Sequence, residues 1–147
     1  MKLHILNTLG IIMMLQTMVP AQESINKSPR SGSPYNLENC LHLFDPAKSV
    51  KSSTGYQHWF VEKNFLEDGL TVKMSVVGPS QAIHPPHRHS DDEIFFILQG
   101  TARFFLNGET TTGSAYSSFY CPPDSEHGIS NAGSDTLKYL VIRKYPK

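Results

Sequence analysis

The sequence has 147 residues, of which 39% are hydrophobic and 18% charged, a composition that fits one globular domain with a modest core. Thirteen basic residues balance thirteen acidic ones, so the chain has no net charge that would attract nucleic acid. We therefore expect no nucleic acid as partner.

The N-terminal segment differs in composition from the rest of the chain. Lys2 precedes an apolar run from Leu9 to Val19, and Val19-Pro20-Ala21 resembles a small-residue cleavage site. These features predict a signal peptide over residues 1–21, with a core helix or an uncleaved anchor as alternatives. Because the apolar run is short for a membrane span, we expect no stable membrane anchor after cleavage and a secreted or periplasmic protein.

Residues 22–50 are predicted to form a linker followed by an N-terminal arm. The stretch from Gln22 to Pro34 is rich in Ser, Pro, Asn and Gly, whereas NLENCLHLFDPAKSV favours an arm or helical turn that ends before Pro46. The two cysteines, Cys40 and Cys121, are interpreted as two small buried residues in preference to one disulfide between arm and barrel, although the sequence leaves both open.

Residues 51–147 show short apolar or alternating runs separated by Gly, Pro, Asn and Asp, the pattern of an all-β domain. Asn107-Gly108 stands between two such runs and predicts a two-residue hairpin turn. The predicted strands are YQHWFVE, LTVKMSVV, EIFFILQ, TARFFL, SSFYC, HGIS and LKYLVIR. Their number and regular spacing indicate a sandwich or a barrel.

The segment HPPHRHSDDE contains three histidines just before an apolar strand. In an uninterrupted strand His87, His89 and Glu93 would share one face, because alternate residues point to the same side. His127, which follows turn-forming prolines in CPPDSEHGISN, is the fourth candidate ligand. Imidazoles with one carboxylate suit a single divalent metal, either Mn, Fe, Ni, Cu or Zn. His84 is not in alternate-residue register with His87, so we interpret it as a residue at the rim of the site and not as a ligand.

Two spaced motifs resemble those of the cupin superfamily, in its small single-domain form. His87-x-His89-x3-Glu93-x6-Gly100 is similar to the first cupin motif, and Pro122-x-Asp124-x2-His127-x3-Asn131 is similar to the second. The resemblance implies a double-stranded β-helix, the cupin jelly-roll barrel, with one metal bound by His87, His89, Glu93 and His127. Asp124 stands where the family has glycine, and Asp also adopts left-handed turn geometry.

The strand that follows Glu93 is apolar on both faces. If Glu93 points into the barrel, Phe95 and Ile97 do so as well, while Ile94, Phe96 and Leu98 point outward. We expect the N-terminal arm or a second subunit to cover the outward set. The resemblance to cupins implies a homodimer.

Three functions are compatible with such a site. The first is an enzyme that uses the metal as a Lewis acid on a small oxygen-rich substrate, such as the isomerisation or ring opening of a sugar or sugar acid. The second is a metal-dependent dioxygenase of a small aromatic or organic substrate, and the third is a non-catalytic barrel that binds a ligand or metal. The sequence does not identify a catalytic acid or base; residues that would qualify if they faced inward are Tyr120, Arg103, Tyr116 and Glu126.

Overall fold

A computed structural model describes residues 34–65 and 69–145 of the chain. The predicted signal peptide and most of the predicted linker lie outside these residues, so the domain boundaries and export stay predictions. None of the described helices has the length and apolar character needed to cross a lipid bilayer.

The described residues form an arm with little regular structure and nine strands. The arm contains helix α1 (Leu37–Cys40) and a 3-10 turn (Pro46–Lys48) whose N-terminus is capped by the Asp45 side chain. The strands are β1 (Val50–Lys51), β2 (Gly55–Val61), β3 (Leu70–Val77), β4 (Glu93–Gln99), β5 (Thr101–Leu106), β6 (Glu109–Ser114), β7 (Ser118–Cys121), β8 (His127–Asn131) and β9 (Leu137–Lys144). Each of the seven predicted strands is present, within one or two residues of its predicted ends.

The strands form two antiparallel sheets. The larger sheet has the order β1-β2-β3-β9-β4-β7, and the smaller has the order β6-β5-β8. Inward side chains from both sheets make one core, to which β4 contributes Phe95 and Ile97, β5 contributes Phe104 and β8 contributes Ile129. The structure is therefore the all-β jelly roll that the sequence predicted.

The β5–β6 hairpin forms at the predicted turn. Leu106 pairs with Glu109, and the two residues between them have positive φ, 48° at Asn107 and 93° at Gly108. Asparagine and glycine tolerate this left-handed backbone better than other residues, so the local sequence fixes the register of the smaller sheet.

The arm covers part of the outward face of the larger sheet. The Phe44 ring lies 4.9 Å from the His58 ring and 6.4 Å from the Tyr56 ring, both on β2. The outward residues of β4, Ile94, Phe96 and Leu98, remain half-buried. The arm thus packs on β2, whereas the expected cover of these β4 residues, by the arm or by a second subunit, stays a prediction. Both cysteines are free thiols; Cys121 is buried as expected, whereas the expectation of burial is wrong for Cys40, which is exposed.

Candidate metal centre

Four side chains converge at one end of the barrel, and they are the four that the sequence singled out. One potential ligand atom from each of His87, His89, Glu93 and His127 lies within 4.8 Å of all the others. Glu93 Oε2 is 3.2 Å from His127 Nε2 and 3.7 Å from His89 Nε2. Metal–ligand bonds to nitrogen and oxygen are about 2.0–2.2 Å long, so these groups are close enough to share one ion after a small inward movement.

The convergence arises from loop pairing and not from one continuous strand. Glu93 begins β4, whereas His87 lies outside any strand and forms an isolated bridge with His127 at the start of β8. Both main-chain hydrogen bonds of that bridge are 2.9 Å long. The side chains of His87, His89 and Glu93 do meet, as expected. The expectation that they share one strand face is wrong, because His87 lies outside β4.

Further bonds tie the two motifs together. The Asp124 amide donates to the His89 carbonyl at 2.8 Å, and Arg88 Nη1 donates to the Asp124 carbonyl at 2.8 Å. Asp124 has a φ of 58°, the left-handed turn geometry expected when Asp stands in the glycine position. A Cβ on Gly128 would lie 3.1 Å from Pro86 Cα, so glycine there permits the close approach that brings His87 beside His127.

Main-chain carbonyls orient two of the imidazoles. His89 Nδ1 is 2.7 Å from the Asp91 carbonyl oxygen, and His127 Nδ1 is 2.8 Å from the Ser125 carbonyl oxygen. A carbonyl only accepts, so each Nδ1 carries the proton and each Nε2 keeps its lone pair. Both lone pairs lie on the Glu93 side of the ring, the arrangement that metal-binding histidines commonly adopt.

The cluster also contains buried nitrogens that lack protein partners. Among the described residues, His87 Nδ1 and His89 Nε2 are buried without a hydrogen bond. Burial, followed by the charges of neighbouring groups, lowers the pKa of His87 to about 4. A neutral imidazole is the form that binds a metal. Unpaired buried polar atoms are costly unless a ligand satisfies them, so this donor set fits a divalent metal.

Asp91 links the cluster to the larger sheet. Arg143 binds the Asp91 carboxylate with both Nε and Nη2, the latter at 3.1 Å from Oδ1. This pairing holds the pKa of Asp91 below its usual value. Because the same Asp91 accepts from His89 through its carbonyl oxygen, Arg143 fixes the loop that orients this imidazole.

Two cations that the sequence analysis did not single out face the interior near Glu93. Arg143 pairs in register with Glu93 on the neighbouring strand. The Lys73 ammonium lies 4.8 Å from the centre of the Trp59 ring, and burial lowers its pKa while the charge of Glu93 raises it. The signal for Lys73 was present in LTVKMSVV, where Thr71, Lys73 and Ser75 alternate as polar residues along one face of an apolar strand.

A cavity of about 380 Å³ lies at the same end of the larger sheet and is lined by Trp59, Glu62, Lys63, Asn64 and Tyr145. Trp59 is the ring beneath Lys73, and the Arg143 guanidinium lies 4.3 Å from the Tyr145 ring. Both cations thus contact the aromatic walls of this cavity.

The side chains considered as acid or base candidates do not join the cluster. Tyr120 is 52% exposed and Tyr116 is 82% exposed. Arg103 is exposed, since it points away from the core between Ala102 and Phe104, and Glu126 is adjacent to His127 but outside the four-residue group. His84 is exposed, as a rim residue would be. Strand alternation explains the outward direction of Arg103 and Tyr120.

Cys121 occupies the inner face next to Glu93, its register partner on β4. Burial and the charge of Glu93 raise the pKa of this thiol to about 12. The thiol therefore stays protonated at neutral pH, and it acts as a small apolar residue rather than as a nucleophile.

Comparisons with known proteins agree with this fold and site. A family model described as "Cupin domain" matches residues 73–143, a range that contains all four potential ligands. The chain is 29% identical over 79 residues to a 5-nitrosalicylic acid 1,2-dioxygenase of Bradyrhizobium sp, a match that covers 50% of this chain and 38% of that protein. The chain spans well under half of the length of the curated relatives that it matches.

Solved structures show the same fold at lower sequence identity. A cupin 2 conserved barrel domain protein from Salinispora arenicola superposes with a TM-score of 0.60 at 18% identity, covering 71% of this chain and 87% of that one. A predicted oxalate decarboxylase from Thermotoga maritima superposes with a TM-score of 0.57 at 21% identity, covering 60% and 78%. Together with the paired motifs and the converged group of four side chains, the family-model match shows a cupin domain over residues 73–143 of the chain.

Proposed function

We propose that this protein is an enzyme that holds one divalent metal on His87, His89, Glu93 and His127 and acts on a small oxygen-rich substrate. The observation that carries the proposal is the converged group, in which carbonyls of Asp91 and Ser125 hold Nδ1 protons so that Nε2 lone pairs remain for the ion. A divalent metal bound there would supply Lewis acidity, which polarises a carbonyl or lowers the pKa of a water molecule.

The residues around the metal centre support this chemistry by excluding water and fixing positions. Phe95 and Val141 fill the barrel behind Glu93 and are buried in the core. A low-dielectric surrounding strengthens the interaction of a bound ion with an oxygen-rich substrate. Arg143 and Asp91 keep His89 in place, so that the ligand geometry does not depend on the substrate.

A dioxygenase is the second candidate. The 29% identity to a 5-nitrosalicylic acid 1,2-dioxygenase favours it. The aromatic walls Trp59 and Tyr145 of the adjacent cavity suit a planar substrate. The residues that would bind the metal are the same for both candidates.

Metal analysis of the purified protein tests the proposal. We expect about one divalent ion per chain by elemental mass spectrometry, and a loss of that ion in the His87→Ala/His127→Ala double variant. The control is His84→Ala, because the His84 ring is 4.5 Å from the His87 ring but lies outside the group of four. An unchanged metal content in the double variant would contradict the assignment, and a protein that takes up no ion after reconstitution would leave only a non-catalytic barrel.

The identity of the metal and the uptake of oxygen separate the two candidates. Zinc or manganese with no oxygen uptake favours the Lewis-acid enzyme. Iron, copper or nickel together with substrate-dependent oxygen uptake favours the dioxygenase. The substrates to be compared are hydroxy acids and sugar acids on one side and hydroxybenzoates on the other.

A further inference from the structure

Lys73 presents a cation inside the barrel, near the metal centre. Its Cα partner on β9 is Val141, which in turn pairs with Phe95 on β4. Directly paired residues of adjacent antiparallel strands project to the same side of a sheet. Val141 and Phe95 are core residues, so the Lys73 side chain projects into the same interior.

The ammonium of Lys73 is not neutralised by the protein. Within residues 34–65 and 69–145, no carboxylate oxygen lies within 4.0 Å of the Lys73 ammonium, which instead contacts the face of the Trp59 ring. Glu93 is near enough for its charge to influence Lys73, as is Arg143. Arg143, unlike Lys73, is already paired with Asp91. Of the two cations, Lys73 is therefore the one that remains available to a ligand.

Placing an ammonium group here costs stability. Burial disfavours the charged form, and a methionine of similar length would pack on Trp59 without that cost. A cation–π contact alone contributes only about 0.5–2 kcal/mol. The presence of a lysine at residue 73 is therefore better explained by an anionic ligand than by packing.

We propose that Lys73 binds a carboxylate group of the substrate, so that the protein acts on small organic acids whose other oxygen atoms reach the metal centre. This inference rests on the proposed function and specifies its substrate class. The 380 Å³ cavity is lined by Trp59, whose ring the Lys73 ammonium contacts, and by Tyr145, whose ring the Arg143 guanidinium contacts. A cavity of this size holds a small molecule, and its two aromatic walls accept the apolar body of an acid.

The test compares two matched pairs of carboxylates and neutral amides. Protein loaded with zinc is titrated with glycolate and glycolamide, and with mandelate and mandelamide, by isothermal calorimetry. Fluorescence is the second readout, because Trp59 is the only tryptophan of the chain and lies beside Lys73. The variants are Lys73→Met, Lys73→Arg as a charge-retaining form, and Lys138→Met as a control on the outward face of the same sheet, opposite Val76.

We expect Lys73→Met to weaken carboxylate binding by roughly 10- to 100-fold, the loss of one charge-assisted hydrogen bond, and to leave amide binding unchanged. Lys73→Arg should restore part of the loss, and Lys138→Met should behave like the parent protein. Three outcomes would each overturn the inference. Lys73→Met could weaken the binding of acid and amide equally, it could leave acid binding unchanged, or the parent protein could bind acids no more tightly than amides. Normal zinc content in those cases would leave the proposed function standing, whereas a parent protein that binds no metal would contradict the proposed function itself.

Discussion

Arg143 and Asp91 form a two-point ion pair at the edge of the histidine cluster, and the Asp91 carbonyl oxygen lies 2.7 Å from His89 Nδ1. The arginine thereby acts on the metal centre through another residue. It holds the loop that sets both the tautomer and the direction of one ligand ring.

We expect Arg143→Gln to weaken metal binding without abolishing it. Loss of partners that orient ligands typically lowers metal affinity by about 10- to 100-fold. Competition with a chromogenic chelator measures the zinc affinity, and Arg103→Gln is the control because Arg103 is exposed on the smaller sheet. Equal affinities in the two variants would show that the ion pair does not position His89. Asp91→Asn should lower the zinc affinity less, because the substitution removes the charge that binds Arg143 but keeps the main-chain carbonyl that binds His89.

Much of the fold was predictable from local sequence. The seven predicted strands and the Asn107-Gly108 turn depend on alternation and turn chemistry, which short windows contain. The four side chains of the converged group were also predictable, because the residue types and spacing of two motifs single them out. Their convergence through a bridge between His87 and His127 could not be predicted, because that bridge joins segments far apart in sequence.

The residues around the metal centre were harder to predict. The placement of Arg143 beside Glu93 depends on the pairing of β9 with β4, which no local pattern fixes. The candidates Tyr116 and Tyr120 would qualify as acid or base only if they faced inward, but both are exposed. Alternation with Thr71 and Ser75 was the available signal for Lys73, because three alternate polar residues in an apolar strand indicate a polar patch on one face.

The metal-free protein should lose stability as the pH falls from 6.5 to about 4. The pKa of His87 is 6.5 in the unfolded chain and about 4 in the folded one, chiefly because of burial. Between these values the unfolded chain binds a proton that the folded chain excludes, so the free energy of unfolding decreases on acidification and this contribution levels off below pH 4.

Urea unfolding at a series of pH values measures this dependence. His87→Ala should show a smaller decrease between pH 6.5 and 4 than the parent protein, and parallel curves would contradict the assignment. The lowered pKa of Asp91 adds a separate loss, which appears only as the pH falls below 3.8, so the two contributions occupy different pH ranges.

Lys73→Met should raise the free energy of unfolding at neutral pH, although the same change is expected to weaken carboxylate binding. Burial places the pKa of Lys73 below 10.5 in the folded protein. The unfolded chain therefore binds more protons between the folded pKa and 10.5, and the stability of the parent protein should rise with pH across that range. Urea unfolding should show this rise in the parent protein and in Lys138→Met but not in Lys73→Met. A rise of equal size in all three would mean that burying the ammonium costs nothing.

Asn131 is the final residue of the second motif, and it serves the fold rather than the metal. Its Nδ2 donates to the carbonyls of Val77, Gly78 and Asp135 at 3.2, 3.0 and 2.7 Å, and its Oδ1 accepts from the Gly133 amide at 2.8 Å. The residue is 2% exposed. These bonds connect the end of β3 to the loop between β8 and β9.

We therefore expect Asn131→Asp to lower the free energy of unfolding by roughly 3 kcal/mol or more, because a carboxylate would face three carbonyl oxygens with no donor. Asn107→Asp is the matched control, since Asn107 is exposed in the hairpin turn and uses its side-chain oxygen to accept from the Glu126 amide at 3.0 Å. Aspartate keeps that acceptor and tolerates the left-handed backbone, so the control should change stability by no more than about 0.5 kcal/mol. Equal effects of the two substitutions in urea unfolding would show that the donor group of Asn131 does not hold the loop, whereas a large difference would assign this motif residue a purely structural role.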